Sequence, residues 1–199
     1  MHATIRFEIL SWWHAGTGRG ADSVADAVIN RTPQGLPYLP GRTVKGLLRH
    51  ALELAEACGR VERGTPELLF GSALPGTEDD ATAGPSEEGR YRTMPGALRF
   101  DSATLGAGWT AWAAGTAASD DLDAFVTLLA SARIDESGIA TTGSLRTIEA
   151  AVPLTLVAMV EGPDDGRWIE ALRVAAPLVR HVGSHRHRGL GRVSVSVEA

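Results

Sequence analysis

The chain of 199 residues has one cysteine, Cys58, which excludes an internal disulfide and a cysteine zinc cage and agrees with a reducing compartment. Cys58 itself reads as a small buried residue near a helix end. No run approaches the roughly 18 consecutive apolar residues of a membrane helix. The first ten residues (MHATIRFEIL) have no basic region leading into an apolar stretch and cleavage site. A cytoplasmic protein with no membrane partner is expected. Walker and Rossmann glycine spacings are also missing, which weighs against a nucleotide-phosphate enzyme built on Arg186, Arg188 and the lone Gly189-x-Gly191.

An excess of positive charge is missing too. The net charge of −5 argues at first against a nucleic-acid partner. The distribution of charge points the other way. Residues 171–197 hold five arginines and no acid, whereas residues 62–88 hold seven acids, among them Glu78, Asp79 and Asp80. A local basic surface is compatible with an acidic total. With 44% hydrophobic and 22% charged residues, the composition is that of a globular protein, and the length suits one domain over residues 1–199.

Residues 4–13 (TIRFEILSWW) alternate in polarity and predict a strand, followed by an irregular loop over 14–40 rich in Gly, Asp, Asn and Pro. From Thr43 onward Val44, Leu47, Leu48, Ala51, Leu52 and Ala55 recur at helical spacing, with Thr43 as the expected N-cap and Gly59 as the stop. Residues 72–96, rich in Gly, Pro, Ser and acids, read as a flexible insertion. A strand over 97–105, a short helix over 120–130 and a strand over 147–160 follow. A helix over 167–182 that Pro177 kinks or ends, and a final strand over 192–197, complete the series. The order gives an α+β, ferredoxin-like (RRM-like) βαββαβ domain with inserted loops, a plan whose sheet commonly presents one face to RNA.

Two segments suit anions. Lys45 and Arg49 lie four apart near the positive end of a helix dipole. Residues 180–192 (RHVGSHRHRGLGR) place four Arg, three His and three Gly between a helix and a strand, where guanidinium forks and close backbone approach favour phosphate. His185 and His187 without a third ligand make a poor zinc site.

Residues 35–49 (GLPYLPGRTVKGLLR), 98–103 (LRFDSA) and 188–192 (RGLGR) resemble the RAMP superfamily of CRISPR-associated proteins. They are most similar to the backbone subunits of type III (Csm/Cmr-like) effector complexes, and residues 133–153 resemble the thumb β-hairpin of those subunits. The resemblance implies guide crRNA, target RNA, copies of itself and other type III effector subunits as partners, in antiviral defence. It assigns Arg42, Thr43, Lys45, Arg49, His185, Arg186, Arg188, Gly189 and Gly191 to the guide, and Ile139 and Arg146 to thumb contacts. It also implies endoribonuclease activity. Asp26, in Ser23-Val-Ala-Asp26-Ala-Val-Ile29, stands where cleaving members carry an aspartate, although one residue fewer separates it from the Val-Ile pair; Asp22 is the fallback. That carboxylate would help hold a divalent cation, Mg2+ by expectation, or orient the attacking 2′-hydroxyl, leaving a cyclic phosphate and a 5′-hydroxyl. The competing readings are a non-cleaving structural relative, and a guide-processing endoribonuclease using His14 or His50 as acid or base.

Overall fold

The computed structural model describes residues 1–21, 25–73, 93–115 and 119–199. In chain order the elements are β1 (His2–Ile9), α1 (Gly41–Ala57), α2 (Thr65–Phe70), β2 (Gly71–Ala73), β3 (Thr93–Pro95), β4 (Arg99–Phe100) and α3 (Ala107–Gly115). They continue with α4 (Ser119–Asp123), β5 (Val126–Ser131), β6 (Arg146–Ala151), β7 (Thr155–Glu161), α5 (Arg167–Ala175) and β8 (Val193–Glu198). The main sheet runs β4-β7-β1-β8, with antiparallel neighbours throughout. Keeping only its strands and the two helices packed on it, α1 and α5, gives βαββαβ with the first strand flanked by the third and fourth, which is the ferredoxin-like arrangement.

The period of two in β1 buries Ala3, Ile5, Phe7 and Ile9 on one face. Against that face lie α1, through Val44, Leu48, Ala51, Leu52 and Ala55, and α5, through Trp168, Ile169, Leu172 and Ala175. Burial of these stripes, at roughly 1.5–3 kcal/mol per large side chain, supplies most of what holds the two layers together. Pro177 ends α5 early, in a single tight turn over Ala176–Leu178.

Several expectations are corrected. The N-cap of α1 is Pro40 rather than Thr43; its carbonyl accepts from the Thr43 and Val44 amides, and Gly41 N–H donates to Ser102 Oγ at 3.1 Å. The expected helix over 120–130 stops at Asp123, and Val126–Ser131 forms β5, because its backbone pairs along β6 from Val126↔Ala151 to Ser131↔Arg146. Residues 147–160 are two strands, β6 and β7, broken where Pro153 cannot donate to a ladder. Cys58 is exposed. The acids Glu78 to Glu88 lie outside the described residues, as does Asp22; the ends flanking the former segment pair as β2 and β3. Among the described residues no helix is long and apolar enough to cross a membrane.

The open face of the sheet does not match the expectation of an RNA platform. It carries Glu8, Glu161 and Glu198 together with His2, Arg6, Ser194 and Ser196, and among the described residues no tryptophan, tyrosine or phenylalanine to stack a base. The basic segment of residues 180–192 lies instead in the loops at the end of the sheet. There Gly191 is buried at φ 72°, and a Cβ on it would meet the Val182 carbonyl oxygen at 1.9 Å, whereas one on Gly189, at φ 83°, would meet nothing within 4 Å. Gly191→Ala should therefore lower Tm far more than Gly189→Ala, whose cost is the left-handed backbone alone, about 1–2 kcal/mol; equal shifts in thermal unfolding would refute that ranking.

Candidate nucleic-acid interface

Residues 10–15, which follow β1, are strung between two loops that carry the basic groups. On one side Trp13 exchanges backbone bonds with Ala151 at 3.0 and 2.8 Å, and its indole N–H donates to Val152 O at 2.9 Å. On the other side Gly191 N–H donates to Trp12 O at 2.7 Å and Ser184 N–H to His14 O at 2.9 Å. The glycine-rich loop and the root of the β5–β6 hairpin are thereby fixed to the same short stretch of backbone. A cavity of about 470 Å³ opens beside it, bringing together His14 and Gly16, Arg42 and Thr43 at the start of α1, and Gly183 and Ser184. Three segments far apart in sequence meet at one concave surface, with the positive end of the α1 dipole on it and no acid in that helix's first turn.

His14 is buried under this surface, and its Nδ1 lies 2.6 Å from the Glu149 carbonyl oxygen. A carbonyl only accepts, so Nδ1 carries the proton and Nε2 of the neutral ring is the acceptor. His185, in a left-handed conformation at φ 59°, sets its ring edge-on to His14 at 6.2 Å and bonds Ser184 Oγ at 2.8 Å. His50 is exposed on α1 and does not line the cavity, so the structure does not pair the two histidines offered for acid–base work. Lys45 and Arg49 also fall outside that lining, and Arg49 is bonded to Glu53 at 2.8 Å.

Asp26 sits at the hairpin root. Its amide donates to Thr147 O at 2.7 Å, its Oδ2 accepts from the Thr147 amide at 2.7 Å, and its Oδ1 faces Arg146 Nη1 at 3.4 Å. Asp26 and Arg146, separate candidates in the sequence, are thus brought into contact. Beyond them a second cleft is lined by Arg133, Arg146 and Arg188, so the hairpin and the glycine-rich loop face each other across it. Arg186 is exposed in the one-turn helix Arg186–Arg188, which Gly189 ends. The β5–β6 hairpin starts at Val126, upstream of residues 133–153, and its tip exposes Ile134, Ile139 and Leu145.

Two acids that sequence reading passed over organise this region. Glu149 accepts the Ile29 amide at 3.0 Å and Arg31 Nη2 at 2.9 Å, while its own N–H donates to Ala27 O at 2.9 Å. Its partners are over a hundred residues upstream, so no local pattern reveals it. In the hairpin tip, Asp135 Oδ1 accepts from Ser137 Oγ, Ser137 N and Ile139 N at 2.6, 2.9 and 3.0 Å, the local carboxylate turn that an Asp-x-Ser sequence permits.

Among the described residues no group of three or more His, Cys, Asp or Glu side chains is placed to hold a metal ion. Among the described residues, the magnesium expected from the resemblance finds a single carboxylate at Asp26, with both oxygens already engaged, which falls short of a resident octahedral oxygen site.

A βαββαβ core with basic loops converging at one end of its sheet and a hairpin projecting from that end defines an α+β protein suited to a phosphate-bearing polymer. The model of the RAMP superfamily matches residues 6–194, and the chain belongs to that superfamily. No curated protein matches it in sequence. Similar solved structures include a chain of "Type III-B Cmr-beta Cryo-EM structure of the Apo state", at TM-score 0.65 and 10% identity, covering 99% of this chain and 97% of that one. A chain of "Cryo-EM structure of the Type III-B Cmr-beta bound to cognate target RNA" follows at TM-score 0.63 and 11% identity, covering 99% and 97%. A chain of "Type IV-B CRISPR Complex" aligns at TM-score 0.57 and 15% identity, covering 100% and 91%. At these identities the likeness establishes the shared fold.

Glu149→Ala should leave the Ile29 amide and Arg31 without partners at a cost of about 1–3 kcal/mol, seen as faster hydrogen exchange at Ile29 and earlier proteolytic cutting within residues 14–31. Wild-type exchange there would show that Glu149 does not hold the loop. The Ser137 hydroxyl, then the Ile139 and Ser137 amides, hold the Asp135 carboxyl below its ordinary value of 3.8. Its contribution to tip order is therefore complete above that value and lost as pH falls through the lower folded one. An NMR titration of the Ser137 and Ile139 amide shifts should give a midpoint under 3.8, abolished in Asp135→Asn.

Proposed function

We propose that this chain is a backbone subunit of a CRISPR effector ribonucleoprotein of the type III kind, binding guide crRNA and cutting the paired target RNA at regular intervals. The observation that carries the reading is the convergence of Asp26, the hairpin root and the arginines of the glycine-rich loop at one end of a RAMP scaffold. The guide backbone would run along the start of α1, by Arg42 and Thr43, and past the glycine-rich loop, with Arg186, Arg188 and Gly189 exposed to it. Lys45 and Arg49 would contribute at longer range, as charge screened over about 8–10 Å. The projecting tip, led by Ile139, would part the duplex and displace a base. Copies of the same chain and other type III subunits would stack along the guide in the cytoplasm. The type III-B neighbours support the assembly class; the type IV-B neighbour shares the fold, so the type III assignment rests on the motif resemblance.

Cleavage would be a transesterification. The target's 2′-hydroxyl gives up its proton to water and its oxygen forms a bond to the adjacent phosphorus as the bond from phosphorus to the 5′-oxygen breaks; the 5′-oxygen takes a proton from water, leaving a cyclic phosphate and a 5′-hydroxyl. Asp26 would accept a hydrogen bond from the 2′-hydroxyl and hold it in line, and Arg146 would neutralise a phosphate oxygen. A magnesium ion would have to bring its other oxygen ligands from the RNA phosphates.

A second reading, a structural subunit that holds guide without cutting, is favoured by the engagement of both Asp26 oxygens with Thr147 and Arg146. In a reconstituted complex, Asp26→Ala should reduce target cutting by about 10²-fold or more, in line with loss of an acid–base or orienting group, while guide retention is unchanged. Undiminished cutting at every interval, with loss in Asp22→Ala instead, would transfer the role to Asp22; no cutting by the wild type would select the structural reading.

A further inference from the structure

The cleft between the hairpin and the glycine-rich loop has a composition that the groove at α1 lacks. Its lining is Ser131, Ala132, Arg133, Ser144, Arg146 and Arg188: three guanidinium groups, two hydroxyls and no acid, in a cavity of about 450 Å³. The backbone prepares it. Arg133 N–H donates to Ser144 Oγ at 3.0 Å and Thr141 N–H to Arg133 O at 2.8 Å, which pins the two strands just beyond the β5–β6 ladder and sets where Arg133 leaves the chain. Arg188 enters from the opposite wall, on the one-turn helix whose start is fixed by Arg188 N–H donating to His185 O at 2.8 Å.

Three like charges facing one cavity repel one another, and the only carboxylate bonded to any of them among the described residues is Asp26, on Arg146. That pair is long, at 3.4 Å, with the side chains 69% and 44% exposed. Long, exposed pairs of this kind contribute little, less than the charge-assisted and bidentate contact that a guanidinium makes with a phosphate. A phosphate entering the cleft therefore outcompetes Asp26 for Arg146.

Deepening the RNA-binding reading above, on which it rests, we propose that Arg133 joins Arg146 and Arg188 in one site, apart from the groove at α1, for a single backbone phosphodiester of single-stranded RNA. Arg146 is the shared member: when the phosphate takes it, Asp26 keeps only the Thr147 amide and its Oδ1 is freed at the hairpin root. Occupancy of the cleft and availability of the Asp26 carboxylate are thereby coupled, and Arg146 acts as a positioning residue for Asp26.

The test is binding of the full chain to a fluorescein-labelled single-stranded RNA of about 20 nucleotides, measured by anisotropy over a salt series. Arg133→Ala and Arg188→Ala should each weaken binding several-fold and reduce the slope of log K against log salt by about 0.7, the loss of one phosphate contact. Arg133→Lys should restore the slope, and Arg99→Ala, on the open sheet face, should leave it unchanged. Asp26→Asn should tighten binding several-fold by releasing Arg146, and that gain should vanish in the Arg146→Ala background. Wild-type binding with an unaltered slope in Arg133→Ala overturns the cleft while leaving the RNA reading intact. A gain from Asp26→Asn that persists without Arg146 overturns the coupling. Absence of wild-type binding overturns the RNA reading and the cleft with it.

Discussion

The arrangement of the whole basic end depends on backbone pairing along residues 10–15. β1 leaves the sheet at Ile9, yet the chain does not turn away into solvent: Leu10 N–H donates to Arg192 O, Trp13 pairs with Ala151, and His14 O accepts from Ser184. This stretch serves as a crossbar between the hairpin root and the glycine-rich loop. Buried backbone groups must find partners, and the bonds made by Leu10, Trp12, Trp13 and His14 hold the two walls to one stretch of chain. Trp13, with no exposed surface, anchors the crossbar in the main core, and its indole N–H is satisfied by Val152 O. The placement of arginines at the surface thus traces back to a tryptophan in the interior.

Glycines 183 and 191 follow from the same constraint. A Cβ on Gly183 would stand 2.2 Å from His14 O, and one on Gly191 would collide with Val182 O. Their lack of a side chain is taken up by internal closure, so the phosphate-facing role expected of glycine in this loop rests on Gly189, which is open. The loop presents arginines outward while Gly183 and Gly191 face inward.

Much of this was legible in the sequence, for identifiable reasons. The alternation in β1 and the stripe from Val44 to Ala55 are local periodicities, and the structure buries the residues those patterns select, with Leu47 half-buried at the groove. Residues 120–130 misled because Leu122, Phe125, Val126 and Leu129 also fall at helical spacing. Only pairing with β6, some twenty residues on, decides for the strand, and Phe125 and Val126 then fill a small second core with Leu36 and Ala113. Arg188 was legible as a member of a basic, glycine-rich segment, and Arg42 and Thr43 through the resemblance carried by residues 35–49. Their companions Arg133, Glu149 and Asn30 were not: Asn30 carries Nδ2 to Ala15 O at 2.7 Å, a contact set by loop closure and not by any recurring pattern.

The location of charge settles how a chain of net charge −5 can present a surface for a polyanion. Of the acids on the open sheet face, Glu161 and Glu198 lie opposite His2 and Thr4, at the end of β1 away from the crossbar, while Glu149 and Asp26 at the basic end are each satisfied by an arginine and by an amide. A carboxylate so paired adds little repulsion toward phosphate. The two differ in strength of attachment, and that difference assigns them different work. Glu149, with its side chain 15% exposed and bonded to Arg31 and the Ile29 amide, is a structural pin. Asp26, more exposed and on a longer ion pair, is the acid that a phosphate in the proposed cleft would release from its arginine.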